Sequence, residues 1–223
     1  MTRANISLTL GIQSNEMSNV IIASMSPADI ATEREDFELV KRASAGEPGA
    51  FDEIFHRYRD QIYSLAYRMT GNAAEAEDLC QEVFMVALKK MDSFEGRSAF
   101  STWLYRVAIN RSRDYLRKKK RSLDTVSSSE EGTPEIADSS NSPTTVPEMA
   151  AVSADAQRLV QQALMKLPEN LRAPLVLHEL EGLEYSEVAR LLRLPVGTVK
   201  SRIFRARTRL GDLLEEHKEQ WLG

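Results

Sequence analysis

Apolar residues recur along this chain with a helical period. Phe51, Ile54, Phe55, Tyr58, Ile62, Leu65, Ala66 and Met69 follow at three- and four-residue steps and form one stripe of a long amphipathic helix. Gly71 closes that helix. Asn72 and Glu75 make an Asn-x-x-Glu capping box for the next, whose apolar positions are Leu79, Val83, Phe84, Ala87 and Met91. A third stripe runs through Phe100, Trp103, Leu104, Val107 and Ala108 to Tyr115, and a shorter helix from about Phe37 to Ala45 precedes all three. In the second half, Ala156, Leu159, Val160, Ala163, Leu164 and Leu167 mark a helix bounded by Pro168. The next spans about Glu169 to Glu181, where Pro174 fits only near the first turn because its missing N–H costs little there. Two helices then follow closely, about Ser186–Leu192 and Thr198–Glu216, with Ser186 and Thr198 as expected N-caps. Two helices joined by a tight turn form a helix-turn-helix candidate.

Between the halves, Ser122 to Ala151 is rich in Ser, Thr, Pro and acids, has no Lys or Arg, and shows no apolar face. Such a segment buries too little surface to offset its ordering entropy. The pattern therefore predicts an all-α protein of two small helical domains, 33–121 and 153–217, joined by a flexible acidic linker (122–152). An extension without predicted order (1–32) and a short tail (218–223) flank them. The length of 223 residues suits two small domains, and only 10 Gly and 8 Pro disfavour a turn-rich all-β fold. One cysteine, Cys80, excludes an internal disulfide and a cysteine zinc site. No apolar run approaches the ~20 residues of a membrane span, and no signal peptide is visible, so a cytoplasmic protein is expected. Met17 and Met25 are alternative starts.

The net charge of −4 argues at first against nucleic acid. Its distribution reverses that reading. Arg97, Arg106, Arg111, Arg113 and the run Arg117–Arg121 are opposed only by Asp114. From Arg190 to Leu210 there are Arg190, Arg193, Lys200, Arg202, Arg205, Arg207 and Arg209, and no acid. Each domain thus ends in a basic helix, the electrostatic footprint of phosphate binding. In the last helix Val199, Ile203, Ala206, Leu210, Leu213 and Leu214 share the core stripe. Ser201, Phe204, Arg205 and Thr208 face the other way, as base-edge contacts in a major groove require. Phe204 is the sharpest item, since an aromatic opposite the core stripe packs on either DNA or a neighbouring domain. Phe94, Phe100, Trp103 and Tyr105 interleave with Arg97, Arg106 and Asn110, a composition suited to single-stranded bases. Phe100 and Trp103 lie on the apolar stripe and are read as core, whereas the loop Ser93–Ser98 is free for binding. Signals for catalysis are weak. Glu75, Asp78 and Glu82 share a helical face that can hold a divalent ion, but no His partner accompanies them. Cys80 sits among acids that raise its pKa. No catalytic, metal or cofactor residue is assigned.

The run DLCQEVFMVALKKMDSFEGRSAFSTWLYRVAINRSRDYLRKKKR (78–121) resembles region two of bacterial RNA polymerase sigma factors. The run LPENLRAPLVLHELEGLEYSEVARLLRLPVGTVKSRIFRARTRL (167–210) resembles region four. A chain with these two regions is similar to the extracytoplasmic-function (ECF) class. The resemblance implies a non-enzymatic factor that directs polymerase to promoters. It implies docking on the β′ clamp helices through Glu77, Asp78, Gln81, Glu82 and Phe84, and contact with the β flap. It implies capture of the −10 element by Ser93, Phe94, Glu95, Gly96, Arg97, Ser98, Asn110, Arg113 and Arg117. Duplex reading of the −35 element falls to Thr198, Lys200, Ser201, Arg202, Phe204 and Arg205. An anti-sigma factor is an implied partner, and the acidic linker resembles family linkers that lie in the nascent-RNA channel. Two promoter sites two helical turns apart are separated by about 68 Å. The linker spans that only when stretched, which calls for a third body holding the domains apart. The other readings are an autonomous helix-turn-helix regulator and a small metal-dependent nucleic-acid enzyme using Glu75, Asp78 and Glu82.

Overall fold

The computed structural model describes residues 27–126 and 147–216, with side chains placed for 32–122 and 157–216. Every regular element among them is helical. The first domain comprises α1 (Pro27–Ser44), α2 (Ala50–Thr70), α3 (Ala73–Lys90), a 3₁₀ turn (Met91–Ser93) and α4 (Phe100–Val126). The second comprises α5 (Pro147–Lys166), α6 (Glu169–Leu175), a π-helical turn (Val176–Leu180), α7 (Tyr185–Leu192) and α8 (Val196–Glu215). Helix α1 begins at Pro27, inside the extension expected to lack order; proline's fixed φ favours a helix start. Helices α4 and α5 likewise reach into both ends of the expected linker. The remainder of the extension, linker and tail lies outside the described residues.

The predicted stripe of α2 is the centre of the first domain: Ile62, Leu65, Ala66 and Met69 are fully buried. Gly71 ends α2 at φ 74°, and its N–H donates to the Tyr67 carbonyl. The Asn72 side chain accepts from the Glu75 N–H at 3.0 Å. The reciprocal half of the box is replaced, because the Glu75 carboxylate turns to Lys119 on α4. Beneath α1, the buried Asp36 accepts from Arg57 at 2.5 Å and from the Tyr58 hydroxyl. Burial first, and then this carboxylate, push the Tyr58 pKa far upward. Asp36→Ala leaves the buried Tyr58 hydroxyl without its acceptor and Arg57 with only Glu35 and Glu53, and is expected to cost about 1–3 kcal/mol. Urea unfolding at constant slope measures this; a midpoint equal to wild type refutes it.

Three expectations for the second domain change. Pro174 lies beyond the first turn of α6, and the helix does not continue unaltered to Glu181. It relaxes into the π-helical turn, where the Glu181 N–H donates to the Val176 carbonyl at 3.1 Å. The N-cap of α7 is Glu184, not Ser186, since Glu184 and Glu187 form a capping box with the Glu184 N–H donating to Glu187 at 3.0 Å. Helix α8 starts after Pro195, so Thr198 falls within the first turn. Between α7 and α8 the chain turns at Arg193, a non-glycine residue in the left-handed region (φ 56°).

The two domains touch. Helix α2 packs on α5 and α6, and α4 packs on α7. Buried apolar side chains form one cluster running through both domains, from Leu39 to Ala206. Arg172 of α6 is 5% exposed. Its Nη1 lies 2.8 Å from Met165 Sδ, and its Nε has no hydrogen-bond partner. Desolvation lowers its pKa, opposed by the nearby Glu169 carboxylate.

Candidate nucleic-acid interface

The second helix of the helix-turn-helix, α8, presents the expected faces. Val199, Ile203 and Ala206 are buried, while Lys200, Ser201, Phe204 and Arg205 are exposed. Phe204 is 69% exposed, so it packs on no neighbouring domain here. Thr198 and Arg202, at the edges of this face, are half-buried. Lys200 Nζ lies 5.4 Å from the centre of the Tyr185 ring, which fixes the cation beside the N-terminal end of the helix. Arg207 is committed elsewhere: its Nε donates to Glu179 at 2.8 Å, and that partner raises its pKa.

In the first domain, the loop after the 3₁₀ turn carries Ser93, Glu95, Gly96, Arg97 and Ser98, all exposed. Phe94 departs from the expectation of a free loop residue. It is half-buried and packs edge-on against Phe37, Phe100 and Trp103. Phe100 is core, as expected, and Trp103 stacks on it. Gly96 is held at φ 67°, and a Cβ there would lie 2.7 Å from the Phe37 ring. The loop thus lies directly on α1. Between them opens a cavity of about 500 Å³ walled by Phe37, Phe94 and Phe100, with Glu33, Arg34 and Glu38 at its side. On α4, Arg106, Asn110, Arg113 and Arg117 align at i, i+4, i+7 and i+11. Arg106, Asn110 and Arg117 are exposed, and Arg117 pairs with Asp114 at 2.6 Å. Arg113 instead crosses to the second domain, donating to Glu169 at 2.6 Å. Arg106 belongs to this stripe by its register with Asn110; the family resemblance does not assign it, but the interleaving of aromatic and basic residues includes it.

Helix α3 carries the third surface. At ~100° per residue, Glu77, Asp78, Gln81, Glu82, Met85 and Leu88 share one arc of about 140°. Asp78, Gln81 and Glu82 are exposed, as are the apolar Met85 (60%) and Leu88 (51%). Phe84 is corrected: it stands at the border of this arc, about 20° from Glu77, but turns inward; it is 3% exposed and packs edge-on against Phe55 with centroids 4.8 Å apart. It supports this surface from within. The acidic residues are also less bare than expected. Glu77 pairs with Arg59 at 3.1 Å, Glu82 with Arg111 at 3.2 Å, and Glu75 with Lys119. Among the described residues, no group of three or more His, Cys, Asp or Glu side chains is placed to hold a metal ion. Cys80 is buried, and burial more than its acidic neighbours pushes its pKa to about 11.

Residues 54–122 match Sigma-70 region 2, and residues 157–210 match Sigma-70, region 4. The ECF RNA polymerase sigma factor SigW of Bacillus subtilis is 40% identical over 183 residues, 79% of this chain and 95% of that protein. The RNA polymerase sigma-H factor of Pseudomonas aeruginosa is 38% identical over 185 residues, 82% and 96% of the two chains. The sigma factor RpoE of Bartonella quintana, solved with the anti-sigma factor NepR, superposes with a TM-score of 0.59. It is 25% identical and covers 75% of this chain and 98% of its own. CnrH, solved with the cytosolic domain of CnrY, gives the same TM-score and identity over 81% of this chain and 97% of its own. The chain belongs to the ECF sigma factors, with a sigma-70 region two and a region four. It directs RNA polymerase to promoters and has no catalysis of its own. That decides between the open readings in favour of the initiation factor. No helix among the described residues is long and apolar enough to cross a membrane.

Proposed function

We propose that the three surfaces divide the work of initiation, with domain limits near 33–121 and 153–217. The exposed arc of α3, through Asp78, Gln81 and Glu82 together with Met85 and Leu88, docks on the β′ clamp helices of core polymerase. The Ser93–Ser98 loop and the α4 stripe (Arg106, Asn110, Arg113 and Arg117) take the −10 element. The aromatic cavity between the loop and α1 receives an unstacked base, its size falling within the ~300–1,000 Å³ of small-ligand pockets. Lys200, Ser201, Phe204 and Arg205 of α8 read the −35 duplex, with Thr198 and Arg202 at the groove edge, while region four also meets the β flap.

The observation that carries this reading is Phe204, a large aromatic 69% exposed among cations on the second helix of a helix-turn-helix. An anti-sigma factor is the proposed regulator, supported by the fold shared with the NepR-bound factor over three quarters of this chain. A protein acting on core polymerase works in the cytoplasm. Purified protein mixed with sigma-free core polymerase and a promoter library is expected to give specific run-off transcripts. Failure to bind core polymerase overturns the reading, and a footprint on DNA without core points to an autonomous regulator instead.

A further inference from the structure

Six of the described residues have a positive φ, and five of them are glycines. The sixth is Arg193, at φ 56° and ψ 49° in the turn between α7 and α8. A Cβ is crowded there by the following carbonyl, and glycine or asparagine escapes most of that cost. The fold demands this backbone. Leu191 and Leu192 ahead of the turn are buried, and Leu194 after it packs on the core. The N–H groups of Arg193 and Leu194 both donate to the Ala189 carbonyl, that of Leu194 at 2.9 Å. The arginine side chain takes no part in that demand. It is exposed and, among the described residues, has no ion-pair partner. Strain kept where a smaller residue would relieve it points to a side chain with a use.

Its position says which use. Arg193 stands three residues before Val196, the first residue of α8. A helix is about 10–12 Å across with its side chains and the major groove ~12 Å wide, so α8 fills the groove it enters. The turn ahead of its first residue then lies against the groove's wall of phosphates. Pro195, Val196 and Gly197 are exposed as well, and a Cβ on Gly197 would meet nothing within 4 Å, so the turn is open to close approach. Arg190, one turn earlier, is a second exposed cation, while the acid before it, Glu187, is engaged by the Glu184 N–H at 3.0 Å. We propose that Arg193 is a phosphate clamp: a −35 contact outside the second helix of the helix-turn-helix, which grips the DNA backbone where α8 enters and carries no base preference. The clamp rests on the −35 reading of α8 above.

Substitution at this one position separates strain from contact. Arg193→Gly and Arg193→Asn relieve the backbone, so the free factor should unfold no earlier than wild type on heating. Joined to core polymerase, each should bind a labelled promoter about fivefold more weakly at physiological salt, and the plot of log affinity against log salt should be shallower by about one. Fluorescence anisotropy across a salt series reads both. The factor lost should be the same on promoters with single −35 base changes, because a phosphate carries no sequence. Arg193→Lys keeps the charge and should keep the slope. The proposal fails if Arg193→Gly matches wild type in affinity and slope, if it unfolds well below wild type, or if Arg193→Lys loses the slope as the glycine variant does. It fails too if the loss changes with the −35 base, or if the variants bind core polymerase less well, which would set the side chain on polymerase and not on DNA. Wild-type holoenzyme indifferent to the −35 sequence counts against the reading of α8 instead.

Discussion

Met85→Glu together with Leu88→Glu is expected to weaken core polymerase binding about a hundredfold, near 2.7 kcal/mol, while leaving the fold intact. Both side chains are more than half exposed on α3. They stand among the polar residues of one arc, so their substitution removes nothing from the core formed by Ala76, Leu79, Cys80, Val83, Phe84 and Ala87. Apolar anchors within a polar rim carry most of the energy of a typical interface, and an introduced carboxylate must be desolvated there without a partner. Fluorescence anisotropy of labelled protein against core polymerase measures the loss, and an unchanged melting curve shows that the helix survives. Binding as tight as wild type would remove α3 from the polymerase contact. Phe84→Ala provides the contrast: it should lower the melting temperature through a cavity in the core and affect binding only by way of stability.

Lys200→Glu with Arg205→Glu is expected to abolish promoter-specific run-off, by about a hundredfold or more, with core binding retained. Both residues project from the exposed side of α8, opposite Val199 and Ile203. Charge reversal at a phosphate-lined groove removes two attractions and adds two repulsions, and each lost phosphate contact lowers the salt slope by about one. Arg207→Ala on the same helix is the discriminating control. Its guanidinium is engaged by Glu179, so promoter use should change no more than about twofold. Equal losses for the two substitutions would mean that α8 acts through general charge and not through one face.

The helices were legible because burial imposes a period. The stripes of α2, α4 and α8 required only the spacing of Leu, Ile, Met and Phe, and Phe204 declared itself by standing off its stripe. Helix starts were less legible, because several residue types compete for one end. The N-caps Glu184 and Pro195 stand two and three residues ahead of Ser186 and Thr198, the hydroxyl residues that ordinary capping preference selects. Phe84 and Phe94 were misplaced for a different reason: a motif states which residues recur near a surface, not which way each side chain turns. A wheel drawn for α3 places Met85 with Gln81 and Leu88, but it leaves Phe84 at the border, about 20° from Glu77 and about 60° from Ala87, so that packing against Phe55 decides its direction. The pairings of Glu75, Glu77 and Glu82, and that of Arg113, had no sequence signal. They join residues far apart along the chain, and a charged side chain carries no mark of its distant partner.

Glu169 sits between two cations. Its carboxylate bonds Arg113 of the other domain, while Arg172, three residues along its own helix, is desolvated with its Nε unmatched. One anion thus serves two guanidinium groups at once: it accepts a hydrogen bond across the domain contact, and its field eases the burial of a cation within its own domain.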